Sequence, residues 1–174
     1  MPTPVGHALG AIASGWAVGS RPSTRRDLFV SSGIIAALGA APDLDLLIGQ
    51  HRGISHSVGM AVIVAAAAAW RRWPLGSTRA RIFLVAFVAI ASHAVLDALG
   101  TDRATPVGVM AWWPFSAAYV QFSWQLFPPI SRSWWDAAAM GRNIIAVGCE
   151  VAALGPAVLL VKWWRGISVS RADG

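Results

Sequence analysis

Long apolar runs separated by short polar stretches organise this sequence of 174 residues. Residues 28–48 form a run that reaches the length of about 20 residues which an α-helix needs to cross a bilayer. A shorter run rich in glycine and alanine precedes it, and three more follow. The five runs are residues 5–19, 28–48, 57–70, 81–99 and 144–164. This pattern predicts an all-α fold, an integral membrane helical bundle of four to five spans.

Aromatic residues concentrate between the last two runs, in residues 101–142. Five of the ten tryptophans lie there, at Trp112, Trp113, Trp124, Trp134 and Trp135. Tryptophan favours the boundary between lipid and water, where one part of its ring system is apolar and another is hydrated. We therefore expect a Trp-rich interfacial segment. The alternative is that these aromatic side chains simply cap the helical bundle.

Composition supports a membrane protein of one domain, residues 1–174. Hydrophobic residues make up 56% of the sequence and charged residues 13%, about half the charged fraction usual in soluble domains. The net charge of +6 does not indicate nucleic-acid binding, because the arginines form short clusters between apolar runs. Cys149 is the only cysteine, which excludes an internal disulfide and a zinc site built from thiolates.

The basic clusters predict the orientation in the membrane. They follow the first run, separate the third from the fourth, and follow the fifth, and they comprise Arg21, Arg25, Arg26, Arg71, Arg72, Arg79, Arg81, Lys162, Arg165 and Arg171. Cytoplasmic loops carry an excess of lysine and arginine. Five spans with the N-terminus outside place all three clusters in the cytoplasm.

The N-terminus lacks the basic start of a signal peptide, so we expect the first run to be retained.

The same topology gathers seven ionisable side chains at the outer ends of the spans. They are His7, Asp43, Asp45, His51, His56, His93 and Asp97. An ionisable residue within a membrane segment costs roughly 2.5 to 3.5 kcal/mol even on lenient insertion scales. Seven such groups at one depth therefore predict a functional site, and hydrogen-bonded packing is the less favoured alternative.

Imidazole and carboxylate groups without thiolate predict a divalent metal, with zinc favoured and manganese or iron as alternatives. His93 and Asp97 are four residues apart, so they lie on one face of a helix and can reach one ion. The set exceeds the three protein ligands of a single catalytic zinc. One or two ions are therefore expected. Two are favoured, and residues that are not needed as ligands would support those that are.

Pro42 is expected to interrupt the preceding helix and leave Asp43 and Asp45 on a turn.

Three further residues are candidates for catalysis. Arg52 presents a planar fork of donors that matches a phosphate, although an anchor at the lipid headgroups is the alternative. Asp45 is a candidate proton acceptor or a second-layer partner of a ligand. Glu150, within the fifth run, is a candidate general base, ligand or partner of a buried donor. Ser55, Ser57 and Ser92 adjoin histidines in a geometry poor for nucleophilic catalysis, so we expect them to bond ligands or cap helices.

The motifs VGHALG, APDLD, HRGISHS, SHAVLD and TPVGVMAWWPFS occur in this order between the start of the chain and residue 116. With them the sequence resembles the YdjM-type family of bacterial membrane-bound metal-dependent hydrolases. The resemblance implies a helical protein of the bacterial inner membrane with presumed hydrolytic activity. The residues that match the family's polar positions are His7, Asp43, His51, His56, His93 and Asp97.

A remoter similarity is to zinc-dependent phospholipase C and the single-strand-specific zinc nucleases, whose ligands include a His-x-x-x-Asp pair. His93 and Asp97 match that pair. Those enzymes also carry a later His-x-x-x-Glu pair, but here the residue four positions before Glu150 is Ala146. A third metal ion of that kind is therefore not expected.

These observations lead to one functional hypothesis and two alternatives. The hypothesis is a metal-dependent phosphoesterase that acts on a phospholipid or lipid-linked phosphate at the outer leaflet, with membrane lipid as its partner and no nucleic acid. One alternative is an ion- or proton-coupled transporter, which requires polar groups at several depths. The other is a membrane scaffold that a metal stabilises without catalysis.

Overall fold

Five α-helices and two 3-10 helices form the described part of the protein in a computed structural model. The described residues are 1–49, 52–102, 105–131, 133 and 135–167. The α-helices are α1 (Pro4–Val18), α2 (Arg25–Ala40), α3 (Val58–Trp70), α4 (Arg79–Ala98) and α5 (Ala137–Trp164). The 3-10 helices, Ala41–Ile48 and Ile54–His56, lie between α2 and α3. Of the residues named above, His51, Trp134 and Arg171 lie outside this described part.

Each α-helix begins at a side chain that caps it. Thr3, Ser57 and Thr78 accept a hydrogen bond from a backbone N–H in the first turn of α1, α3 and α4. Thr24 forms a capping box with Asp27 at α2, and Asp136 caps α5. Such caps satisfy backbone N–H groups that have no partner within the helix. The helix starts are therefore defined locally by the sequence.

The all-α prediction is confirmed: the described residues contain no β-strand, and their only β-type pairing consists of two isolated bridges. Three segments are long and apolar enough to cross a membrane, namely Arg25–Leu47, α4 and α5. Helices α1 and α3 have 15 and 13 residues, fewer than the roughly 20 needed to span. The predicted count of four to five spans is therefore not confirmed.

Small residues let the helices approach closely around α1 and α4. Helix α1 packs against α2, α4 and α5, and α4 also packs against α3. Ala11, Ala65 and Ala89 in this core are fully buried. At Gly39 of α2, the hydrogen atom in place of a side chain allows contact with Ala11 and with the carbonyl group of His7. Close approach through small side chains is typical of membrane bundles.

The two ends of the bundle differ in chemistry. At one end, Arg81 donates to the carbonyl of Val18 over 2.7 Å and Arg165 donates to that of Gly19 over 2.5 Å. These contacts bring the end of α1, the start of α4 and the end of α5 together. The start of α1 and the end of α4, which carry His7 and Asp97, consequently lie at the opposite end. The structure thus separates these basic side chains from the predicted ligands.

Residues 101–131 lie across the ligand-bearing end of the bundle; residues 103 and 104 are not among the described residues. The backbone N–H groups of Val58 and Gly59, at the start of α3, donate to the carbonyls of Ala111 and Trp113. Phe122 N–H donates to the last residue of α4. Val109 and Phe127 are buried, whereas Phe115 and Trp124 are 92% and 79% exposed. The segment therefore covers the bundle end and also presents aromatic side chains outward.

We predict that Gly39→Ala destabilises the protein by about 1 to 3 kcal/mol, because the added methyl group overlaps Ala11 and lies 2.7 Å from the carbonyl oxygen of His7. The matched control is Gly33→Ala on the same helix, where no atom lies within 4 Å. That control removes a helix-interior glycine and is expected to be neutral or stabilising by up to about 1 kcal/mol. Thermal unfolding in detergent measures both, and equal effects would contradict the close packing at Gly39.

Candidate metal centre

Five predicted ligand side chains converge at one end of the bundle from four separate elements. His7 comes from the first turn of α1, and His93 and Asp97 come from the end of α4. Asp43 lies on the 3-10 helix Ala41–Ile48, and His56 ends the 3-10 helix Ile54–His56. Helix α2 ends two residues before Pro42, as predicted. The change to a 3-10 helix carries Asp43 towards the three histidines.

The distances within this cluster are short. Asp97 lies 3.2 Å from the Nε2 atom of His7 and 3.4 Å from those of His56 and His93, measured to its nearer oxygen in each case. Asp43 lies 3.9, 3.7 and 3.6 Å from the same three atoms. All three imidazoles therefore direct Nε2 towards the same pair of carboxylates.

Several of these polar atoms are buried without a hydrogen bond. His7 and His93 are fully buried and Asp97 is 3% exposed. Within the described residues, Nε2 of His7, Nε2 of His93 and both carboxylate oxygens of Asp97 have no hydrogen-bond partner. Leaving such a group unsatisfied in a buried site costs about 1 to 3 kcal/mol, and more for a charged group. A divalent cation would satisfy all of these atoms together, and the donor set fits zinc, manganese or iron.

The opposite ring nitrogens of two histidines have partners that hold the rings in place. Nδ1 of His93 lies 2.7 Å from the carbonyl oxygen of Gly39. The Nδ1–H tautomer therefore donates to this carbonyl, and the lone pair of Nε2 is available to a metal ion. Nδ1 of His56 lies 3.3 Å from Asp45 and 2.9 Å from the hydroxyl of Ser55. Ser55 in turn donates to Asp45 over 2.6 Å. Outer partners of this kind orient metal-binding histidines.

The imidazole rings also pack on one another. His7 and His93 are stacked with centroids 3.6 Å apart, and His56 meets His93 edge to face at 4.6 Å.

Burial lowers the pKa of His56, but the carboxylates of Asp43 and Asp97 outweigh this effect and raise the pKa to about 9. A cation that binds His56 must displace this proton, so acidification weakens metal binding.

Arg52, predicted to contact phosphate, pairs with Asp102. Asp102 also accepts a hydrogen bond of 3.1 Å from the backbone of Gly108, and Met110 donates to the carbonyl of Arg52 over 3.0 Å. Arg52 is 6% exposed and has a positive φ of 63°. These contacts give Arg52 a structural role in joining the loop before His56 to residues 101–131. The phosphate contact stays a prediction.

Glu150 is fully buried but is not part of the cluster found among the described residues. Its carboxylate accepts hydrogen bonds from the backbone N–H of Thr3 over 2.8 Å and from the hydroxyl of Thr3 over 2.5 Å. A side chain at Gly6 would meet this carboxylate at 2.7 Å. Glu150 thus fixes the start of α1, one turn before His7. Of the three roles considered for Glu150, the contacts match that of a partner for a buried donor, which is Thr3.

The structure brings together five of the six predicted ligands, His7, Asp43, His56, His93 and Asp97, while His51 lies outside the described residues. Asp45 lies beside the outer nitrogen of His56, where a second-layer partner is expected. Ser55 contacts Nδ1 of His56 and Ser57 caps α3, as predicted, whereas Ser92 donates to the carbonyl of Ala89 within α4. Sequence reasoning missed Thr3, Asp102 and the carbonyl of Gly39. The first two are ordinary polar residues in sequence, and a backbone carbonyl has no sequence signal.

Comparison with known proteins identifies a family. The family model described as YdjM inner membrane protein matches residues 1–169, which confirms the resemblance carried by the sequence motifs. No curated protein and no solved structure matches the chain.

We predict that Asp45→Asn lowers the affinity for zinc by about 10- to 100-fold without abolishing binding, because a neutral amide orients His56 less strongly than a carboxylate. Competition with a chromogenic chelator measures this affinity. The control is Asp27→Asn, which alters the exposed cap of α2 and leaves the affinity unchanged. An Asp45→Asn protein with wild-type affinity would remove Asp45 from the support of the metal centre.

Proposed function

We propose that this chain, which belongs to the YdjM inner membrane protein family, is a metal-dependent phosphoesterase that acts on a phospholipid or lipid-linked phosphate at the outer leaflet. The observation that carries the proposal is the cluster of buried imidazole nitrogens and carboxylate oxygens at one end of a helical bundle, in which atoms of His7, His93 and Asp97 lack hydrogen bonds within the described residues. A divalent ion held there supplies Lewis acidity and lowers the pKa of water.

The protein residues would hold and orient this ion. His93 and His56 keep their Nε2 atoms directed at the carboxylates through the Gly39 carbonyl and Asp45. Asp97 is almost fully buried, whereas the side chain of Asp43 is 13% exposed. Asp43 therefore marks the side from which a substrate would approach. Asp45 and Glu150 both have structural partners, His56 and Ser55 for the first and Thr3 for the second, and a role for either as proton acceptor stays a prediction.

The surface beside Asp43 supports a lipid substrate. On the same 3-10 helix, Leu44 and Leu47 are 62% and 82% exposed, and Ile54 is partly exposed before His56. Phe115 and Trp124 add exposed aromatic rings from the segment that covers this end of the bundle. Apolar side chains around a polar site suit a substrate with a charged headgroup and an acyl or isoprenoid tail.

The position of the cluster along α4 supports a site near one membrane boundary. Asp97 follows Arg81 by 16 residues on this helix, which corresponds to about 24 Å. The hydrocarbon core is about 30 Å thick, so this separation is consistent with a basic end at the cytoplasmic boundary and ligands near the outer one. The buried ionisable groups among the described residues all lie at the ligand-bearing end, which disfavours a transport path across the membrane.

A metal-stabilised scaffold is the second candidate. The observation in its favour is that His7 and His93 are fully buried and Asp97 nearly so, as in structural metal sites that protein ligands saturate. This candidate predicts metal binding and metal-dependent stability without turnover.

We predict that the purified protein hydrolyses at least one member of a panel of phospholipids and isoprenoid phosphates, and that a chelator removes this activity. Zinc or manganese is expected to restore it. Asp97→Asn is expected to reduce hydrolysis to the level without protein, because it removes the negative charge and replaces one of the two oxygens that face His7, His56 and His93. Phosphate release measures the activity, and Ser14→Ala on α1 is the control. Metal binding without hydrolysis across the panel would favour the scaffold.

We predict the sidedness of the protein from its basic end. In a Cys149→Ala background, Thr105→Cys is expected to react with a membrane-impermeant thiol reagent in intact cells, because residue 105 lies in the exposed segment at the ligand-bearing end. Ser77→Cys, between α3 and α4, is expected to react only after the membrane is opened. Labelling of the Ser77→Cys protein alone in intact cells would place the metal centre on the cytoplasmic side.

A further inference from the structure

The two oxygens of Asp97 face different histidines. Oδ1 lies 3.2 Å from Nε2 of His7, whereas Oδ2 lies 3.4 Å from Nε2 of both His56 and His93. Asp97 is nearly fully buried, and neither oxygen has a hydrogen-bond partner within the described residues. The two oxygens of one carboxylate therefore face different imidazoles, His7 on one side and His56 with His93 on the other, although the rings of His7 and His93 are stacked.

Asp43 divides its oxygens in the same way. Its Oδ2 atom lies 3.9 Å from Nε2 of His7, and its Oδ1 atom lies 3.7 and 3.6 Å from those of His56 and His93. Asp43 and Asp97 come from different elements of the fold, the 3-10 helix Ala41–Ile48 and α4. Two unrelated backbones thus produce the same division between His7 and the other pair.

The larger group of donors has the dimensions of a metal site with four ligands. It consists of Nε2 of His56, Nε2 of His93, Oδ1 of Asp43 and Oδ2 of Asp97. Its nitrogen–oxygen distances are 3.4 to 3.7 Å. Ligands about 2.1 Å from a tetrahedral zinc ion are separated by about 3.4 Å. A single ion among these four atoms leaves His7 and the second oxygen of each aspartate unused.

The remaining donors form a second group of three. Nε2 of His7 faces Oδ1 of Asp97 at 3.2 Å and Oδ2 of Asp43 at 3.9 Å. His7 is fully buried and its Nε2 atom has no hydrogen bond among the described residues. Three protein ligands with a further position for water or substrate are typical of catalytic metal sites.

We propose that the centre holds two divalent ions, bridged by both Asp43 and Asp97. His56 and His93 belong to the first ion and His7 to the second. This inference rests on the proposed metal-dependent function and deepens it by assigning the number of ions and the ligands of each. Two dications with two bridging carboxylates retain a net positive charge, which favours an anionic phosphate ester over a neutral carboxylic ester. Paired ions of this kind act on both the attacking and leaving oxygens in phosphoryl chemistry.

The test counts metal ions and does not depend on activity. Purified protein is saturated with zinc or Mn²⁺, passed over a desalting column, and analysed by elemental analysis. Two ions per chain are expected for the wild type and one for His7→Gln, which loses its imidazole nitrogen but approximates its volume. Ser14→Ala, on the same helix as His7, is the control and is expected to keep two ions.

Electron paramagnetic resonance of the Mn²⁺ form gives a second measurement that needs no variant. Two bridged ions are expected to give the multiline spectrum of a coupled pair, and His7→Gln is expected to give the spectrum of an isolated ion. One ion per chain in the saturated wild type, with an uncoupled spectrum, would overturn the two-ion inference and leave the proposed function standing. Absence of metal from the wild type would overturn both. Circular dichroism checks that the His7→Gln protein is folded. If it is not, the electron paramagnetic resonance spectrum of the wild-type Mn²⁺ form alone decides between one ion and two.

Discussion

The placement of ionisable groups inside a membrane bundle is the constraint on which the rest of this structure depends. Three imidazoles and two carboxylates lie together at one end of a largely apolar helical assembly, and polar atoms of His7, His93 and Asp97 make no hydrogen bond within the described residues. Charged groups in such surroundings are costly unless they are paired or bind a metal. Opposite charges at short distance reduce part of this cost, and a cation would satisfy the remaining atoms. The cluster could therefore hold a cation.

The surrounding fold holds this cluster through contacts that carry no metal chemistry themselves. Glu150 on α5 binds Thr3, which caps the helix that carries His7. Gly39 allows α2 to approach α1 and offers its carbonyl group to His93. Because these contacts come from helices distant in sequence, the position of each ligand depends on the packing of the whole bundle. A change in packing at Gly39 would therefore affect both stability and the metal centre.

Residues 101–131, of which 103 and 104 are not described, cover the end of the bundle that carries the candidate metal centre. Their backbone binds the start of α3 and the end of α4, and Asp102 pairs with Arg52 close to the ligand His56. Exposed aromatic rings on the same segment suit the boundary between lipid and water. The proposed lipid substrate would meet both features together, an apolar rim outside and a charged centre beneath it.

Sequence alone was sufficient for the helical class, the approximate helix positions and five candidate ligands that the structure brings together, because these depend on local signals. Apolar runs, capping residues and the cost of ionisable groups in a membrane all act on residues close in sequence. The number of spans was not determined in this way, since α1 and α3 are too short for length to settle their depth. Packing decided that Glu150 binds Thr3, that Arg52 pairs with Asp102 and that Gly39 orients His93. Those partners are between 50 and 147 residues apart in sequence, and only the folded arrangement of the helices brings them into contact.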